Sequence, residues 1–103
     1  MIVRTWHGCV PVQHTAGFAK HLEITGVQHA RATVGNLAAK VRCEQQGEYA
    51  HFFLATWWQD LTAIKAFAGE NYQAAVTYPD DEQFALISDP YVFQFEVNAV
   101  SVL

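Results

Sequence analysis

The clearest apolar run lies at Tyr49–Trp58, ten residues with neither glycine nor proline. Its aromatic content and the absence of a helical period predict a central strand. Alternation puts Tyr49, His51, Phe53, Ala55 and Trp57 on one face, and Ala50, Phe52, Leu54, Thr56 and Trp58 on the other. Both faces are mostly apolar, so both need a cover. Helices of the same chain can cover one. The other needs a second layer, and a second copy of the chain is its simplest source. Asp60 suits the N-cap of a following helix over Leu61–Ala68, with Leu61, Ile64, Phe67 and Ala68 inward and Gly69 as its stop.

The remaining elements follow from the same patterns. A first strand over 2–10 carries Ile2, Arg4, Trp6 and Gly8 on one face and Val3, Thr5, His7 and Cys9 on the other, and ends at Pro11. A helix over 12–25 buries Phe18, Ala19 and Leu22, with Gly26 as its stop. Residues 27–34 show no period and read as a loop. A second strand over 37–45 leads through a tip at Gln46-Gly47-Glu48 into the central strand. After Gly69 the pattern predicts a short helix over 70–76. A third helix starts at Tyr78-Pro79-Asp80-Asp81-Glu82, buried by Phe84 and Leu86. A last strand covers 91–100. The order β-α-β-β-α-(α)-β is the ferredoxin-like split βαβ plan, an α+β fold with an antiparallel sheet. In that plan the first and third strands are central neighbours and the second lies at an edge.

Length and composition narrow the class. A chain of 103 residues makes one domain. Charged residues are only 16% against 51% hydrophobic, which again favours an oligomer that hides apolar surface. The net charge is −4 and the basic residues are scattered, so nucleic acid is not an expected partner. No apolar run reaches membrane-spanning length, and the first residues read as a strand rather than a signal peptide, so a cytoplasmic protein is expected. Cys9 and Cys43 fall on non-adjacent strands and read as free thiols. Neither a dinucleotide fingerprint nor a metal-ligand spacing is present, so no cofactor and no metal are expected.

Several stretches resemble the antibiotic biosynthesis monooxygenase family of the dimeric α+β barrel superfamily. They are Met1-Ile2-Val3-Arg4-Thr5-Trp6, Gly35-Asn36, the run Thr56-Trp57-Trp58-x-Asp60-x-x-Ala63-Ile64-x-x-Phe67-Ala68-Gly69, and Ala75-x-x-Tyr78-Pro79-x-Asp81. The resemblance implies two ferredoxin-like subunits packed sheet to sheet as a homodimeric barrel, with a pocket between each sheet and its helices. It also implies cofactor-free oxygenation of a phenol- or anthrone-like substrate, or haem degradation. The haem-degrading relatives use an Asn, a Trp and a His together. Here Trp58 matches the tryptophan, but Trp6 or His7 stands at the asparagine and Thr77 or Tyr78 at the histidine, which weighs against that chemistry.

Cofactor-free oxygenation needs a dry aromatic pocket, a proton acceptor and donors that favour a substrate anion. The resemblance makes Trp58 the first pocket candidate. His7 and His51, on the central strand pair, are proton-acceptor candidates because imidazole titrates near neutrality. Tyr78 is a hydrogen-bond donor or acceptor candidate. Trp6, Asn36, Phe52, Tyr72 and Phe84 are candidates to line the pocket. Packing is the competing role for each aromatic, and turn formation for Asn36. His14 and His21, seven residues apart on one helix and roughly 10 Å from each other, read as solvent-facing. Arg4 can steady an anion or pair with Glu96 on the neighbouring last strand, of which the ion pair is the preferred reading, and His29 is a loop residue of a kind that can border a pocket. A non-catalytic dimer that binds a small apolar ligand is the alternative function.

Overall fold

A computed structural model of the chain describes residues 1–97. Five strands form one antiparallel sheet: β1 Ile2–Pro11, β2 Asn36–Gln46, β3 Tyr49–Trp58, β4 Ile87–Ser88 and β5 Phe93–Glu96. The lanes run β2-β3-β1, and β4 and β5 share the fourth lane beside β1. This is the ferredoxin-like order, with β1 and β3 central. Ile2 pairs with Trp58, Trp6 with Leu54 and Val10 with Ala50. Along β3 burial alternates strictly: Ala50, Phe52, Leu54, Thr56 and Trp58 are buried, and their neighbours are not.

The helices lie on one face only. A 3-10 turn at Val12–His14 leads into α1, Thr15–Leu22. The chain then winds through a π-helical turn, Glu23–Val27, into α2, Gln28–Ala32. The helix therefore does not stop at Gly26, and most of the expected loop over 27–34 is helical. Gly26 is buried instead as a contact point. A Cβ there would meet Leu22 Cδ1 at 3.3 Å and Leu54 Cδ2 at 3.4 Å, so the missing side chain lets the helix approach the sheet. The buried stripe of α1 is Phe18, His21 and Leu22; Ala19 faces solvent. The expectation that His21 faces solvent is overturned, because i, i+3, i+4 spacing puts it on the Phe18–Leu22 side.

Helix α3, Leu61–Ala68, forms as expected, with Asp60 Oδ1 accepting from the Ala63 N–H at 2.9 Å and Gly69 (φ +85°) ending it. Its buried residues are Ala63, Ile64 and Phe67, while Leu61 is exposed. Residues 70–76 are not helical. They run as turns and extended chain against 90–92, through an Ala74–Tyr91 bridge, Ala75 N–H to the Pro90 carbonyl and Val92 N–H to the Gln73 carbonyl. The acidic segment forms a 3-10 helix, Pro79–Phe84, whose Tyr78 backbone N–H is held by Asp81 Oδ2 at 2.9 Å. The last strand is shorter than expected, with β4 before it unforeseen. Its expected end over 98–100 lies outside the described residues.

Two apolar clusters fill the layer between sheet and helices. One joins Val10, Phe18, Leu22, Val27, Phe52 and Leu54. The other joins Ala30, Trp58, Ala63, Ile64 and Phe67. Fully burying one such side chain stabilises the fold by about 1.5–3 kcal/mol. Among the described residues no helix covers the opposite sheet face, although Val3 is buried there. Phe53, Ile87, Phe93 and Phe95 stand exposed on it.

Candidate functional site

A narrow slot of about 40 Å³, open at its mouth, runs between the two apolar clusters on the helix side of the sheet. Arg4 and Trp6 of β1 and Leu54 of β3 form its floor. Phe18, Leu22, Thr25 and Gly26 form one wall, and Phe67 of α3 another. Val76, Tyr78, Asp81 and Leu86 close the side carried by the 70–86 segment. Trp6 is fixed by its indole N–H, which donates to Ser88 Oγ at 2.8 Å.

Among the described residues Arg4 is the only strong cation in the slot lining, and it is 4% exposed. Its expected pairing with Glu96 is not made, because the register sets Glu96 opposite Ile2 and Gln94 opposite Arg4. The guanidinium instead donates to neutral acceptors: the Tyr72 carbonyl, Gln94 Oε1 at 3.0 Å and the Ala74 carbonyl at 3.1 Å. These use three of its five N–H groups. Burial lowers its pKa to about 10, with the neighbouring Tyr78 acting in the opposite sense. At neutral pH it remains a buried positive charge without a carboxylate partner among the described residues.

Tyr78 faces the same slot. Burial, reinforced by Asp81 and opposed by Arg4, pushes its pKa up to about 12, so it stays a phenol at neutral pH. Its Oη lies 2.7 Å from Nδ1 of His29, and the phenol donates whenever that nitrogen carries no proton. Asp81 is doubly held, by the Tyr78 backbone N–H and by His21, whose Nε2 donates to Oδ1 at 2.7 Å. The His21–Asp81 pair ties α1 to the turn that carries Tyr78.

The remaining sequence candidates fall in three places. Trp58 is fully buried, donates its indole N–H to Thr56 Oγ1 at 2.8 Å, and packs on Phe67 with ring centroids 5.2 Å apart. It backs the slot wall rather than lining it. Phe52 and Phe84 back Phe18 in the same way, at 5.0 and 5.7 Å. Tyr72 reaches Arg4 through its carbonyl. Asn36 sits at a bulge that opens β2, its amide donating to the Ala38 and Trp57 carbonyls at 3.2 and 3.3 Å, which is a turn role.

His7 and His51 lie on the other face of the sheet, away from the slot. His7 Nδ1 donates to Asp89 Oδ2 at 3.1 Å, since a carboxylate only accepts. In the neutral pair His7 Nε2 then accepts from His51 Nδ1, 2.8 Å away. The structure thus brings Arg4, Trp6 and Tyr78 together, and sets the two strand histidines apart from them.

Sequence reasoning missed the slot roles of His21, Asp81 and His29. The Phe18–His21–Leu22 spacing was a readable signal for the first. Asp81, three residues after Tyr78, was one for the second. Nothing local announced His29, because a π-turn sets the direction in which it points.

No family model matches the chain, and no curated protein matches it. Solved structures do. A protein described as an antibiotic biosynthesis monooxygenase from Deinococcus radiodurans aligns over 100% of this chain and 99% of its own, with a TM-score of 0.64 and 18% identity. The fold is that of the antibiotic biosynthesis monooxygenases. The haem-degrader MhuD from Mycobacterium tuberculosis, solved with two haems in its active site, is similar over 99% of both chains, with a TM-score of 0.63 and 18% identity. SnoaB, a cofactor-independent oxygenase from Streptomyces nogalater, is similar over 96% of this chain and 95% of its own, with a TM-score of 0.59 and 19% identity. At these identities the likeness is one of fold. Among the described residues no group of three potential ligands is placed to hold a metal, and no helix is long and apolar enough to cross a membrane.

Proposed function

We propose that the chain is a homodimeric, cofactor-independent monooxygenase acting on a small phenol- or anthrone-like aromatic. The observation that carries this reading is the slot itself: Trp6, Phe18 and Phe67 around a buried Arg4 charge, beside the Tyr78 hydroxyl. An electron-rich phenol that loses its proton becomes an anion able to pass an electron to O2. A buried guanidinium with N–H groups to spare favours that anion far more than water-exposed charge would. The aromatic walls hold the ring and exclude water. For an anthrone, one oxygen atom of O2 ends in the new carbonyl and the other leaves as water with both hydrogens of the oxidised carbon.

In this reading Arg4 steadies the anion, and Tyr78 exchanges a hydrogen bond with the substrate oxygen. Trp58, Phe52 and Phe84 hold the slot walls in place, and Tyr72 holds Arg4. His7 and His51 belong to the dimer face. That face supports a homodimer because its exposed aromatics, among them Phe53, Phe93 and Phe95, form an apolar surface that none of the described helices covers. The unpaired Cys9 and Cys43 agree with a reducing, cytoplasmic setting.

The test is oxygen uptake by chelator-treated protein with a panel of dihydroxynaphthalenes and anthrones, beside Tyr78→Phe and a protein-free blank. Uptake should scale with protein and fall at least tenfold in the variant. Uptake no greater than the blank across the panel would reject oxygenation and leave a ligand-binding dimer as the function.

A further inference from the structure

The structure carries a proton path out of the slot, and we infer that His29 is its terminal base: Tyr78 relays a substrate proton to His29 Nδ1. The inference deepens the oxygenase reading and rests on it for its substrate class. Three observations support it. The 2.7 Å contact between Tyr78 Oη and His29 Nδ1 is a direct proton-transfer distance. Tyr78 lines the slot, whereas His29 is exposed, so the pair connects the slot with the protein surface. With its pKa pushed up to about 12, Tyr78 cannot hold a negative charge at neutral pH, so it passes a proton on as it takes one.

The π-turn provides the geometry. Glu23–Val27 closes its hydrogen bonds over one residue more (i→i+5) than an α-helix, and Gly26 within it lines the slot. That extra residue sets the phase of α2 and turns the His29 ring toward Tyr78. There the ring packs against Phe67 with centroids 4.4 Å apart. Such single π-turns recur at functional sites.

The step balances. The substrate O–H breaks and its proton moves to Tyr78 Oη as the Tyr78 proton moves to His29 Nδ1. The products are a substrate phenolate beside Arg4, a neutral Tyr78 and a His29 imidazolium. After oxygen adds, the same path run backwards returns the proton toward the leaving water. The charged and titratable groups that face the pair are Arg4 from β1 and Asp81 from the turn of Tyr78, the latter tied to His21 of α1. Phe67 of α3 is neutral.

Two measurements test the relay. The first is anaerobic binding of 4-nitrophenol, whose phenol and phenolate absorb at different wavelengths. Wild-type protein should bind it largely as phenolate in slightly acidic buffer, where the free probe is mostly protonated. His29→Gln should still bind it, with the ionised fraction at least threefold lower. The second is the pH profile of oxygen uptake. The wild-type rate should rise with pH, because the relay needs His29 Nδ1 free to accept. His29→Gln should lack that limb and be at least tenfold slower at pH 7, and the double variant with Tyr78→Phe should be no slower than either single one, because relay partners act as a unit. An unchanged ionised fraction and pH limb in His29→Gln, or multiplying losses in the double variant, would overturn the relay. Probe ionisation that depends on His29 without any oxygen uptake would uphold the relay and reject the oxygenase reading. Failure of the probe to bind, with an unchanged pH limb in His29→Gln, would overturn the relay and leave the oxygenase reading to the uptake test.

Discussion

Arg4 and Tyr78 show how burial acts on single residues. The same low-dielectric slot lowers the pKa of the base to about 10 and raises that of the acid to about 12. Their effects on stability then oppose each other. An unfolded tyrosine ionises near pH 10, so between about pH 10 and 12 the unfolded chain sheds its Tyr78 proton first and stability falls as pH rises. For Arg4 the folded state sheds first over the same window, so its contribution rises with pH. Tyr78→Phe removes only the falling part. Its urea midpoint should therefore climb from pH 10 to 12 relative to wild type, and parallel midpoints would contradict the assignment. The sequence singles out Tyr78 and Trp6, which both line the slot, but it pairs Arg4 with Glu96. The error was one of register: alternation fixes a face, while strand pairing decides which residue on that face stands opposite.

Elements were legible wherever pattern and cap agreed. Tyr49–Trp58 alternates without interruption, and Leu61–Ala68 sits between an N-cap aspartate and a positive-φ glycine. Asp60→Ala should accordingly cost about 1 kcal/mol, a fall in Tm of roughly 4–8 °C by calorimetry in a domain of this size. The misread segments lacked such punctuation or carried it misleadingly. Gly26 resembled a helix stop, yet it is buried where the helix touches Leu54. Residues 70–76 are apolar enough for a short helix, but their backbone groups pair with 90–92, a partner that no local window contains. The π-turn gives the sharpest prediction at this scale. Deleting Thr25 should restore an α-helical phase and rotate His29 by about 100°. Circular dichroism should show the helix content kept, while ionisation of bound 4-nitrophenol is lost; retention of that ionisation would contradict the role given to the turn.

For the whole molecule, the distribution of apolar surface matters most. One sheet face is packed under helices, and the other presents Phe53, Phe93 and Phe95 to solvent. That both faces of the sheet carry apolar side chains was legible from β3 alone. The separation of His7 and His51 from the slot was not legible, since that depends on which face the helices take. Light scattering at micromolar concentration should give a dimer. Phe93→Lys should weaken it at least tenfold, because a charge would be buried where a ring packed; a wild-type monomer would contradict the dimer. The central claim is that the slot lets an aromatic anion react with oxygen without help. Its most direct test is turnover of an anthrone under ¹⁸O₂ by chelator-treated protein, with the product weighed by mass spectrometry. The account predicts one labelled oxygen atom per product, formed in proportion to protein and reduced at least tenfold in Tyr78→Phe. Product without label, or labelled product formed no faster than in the protein-free blank, would contradict it.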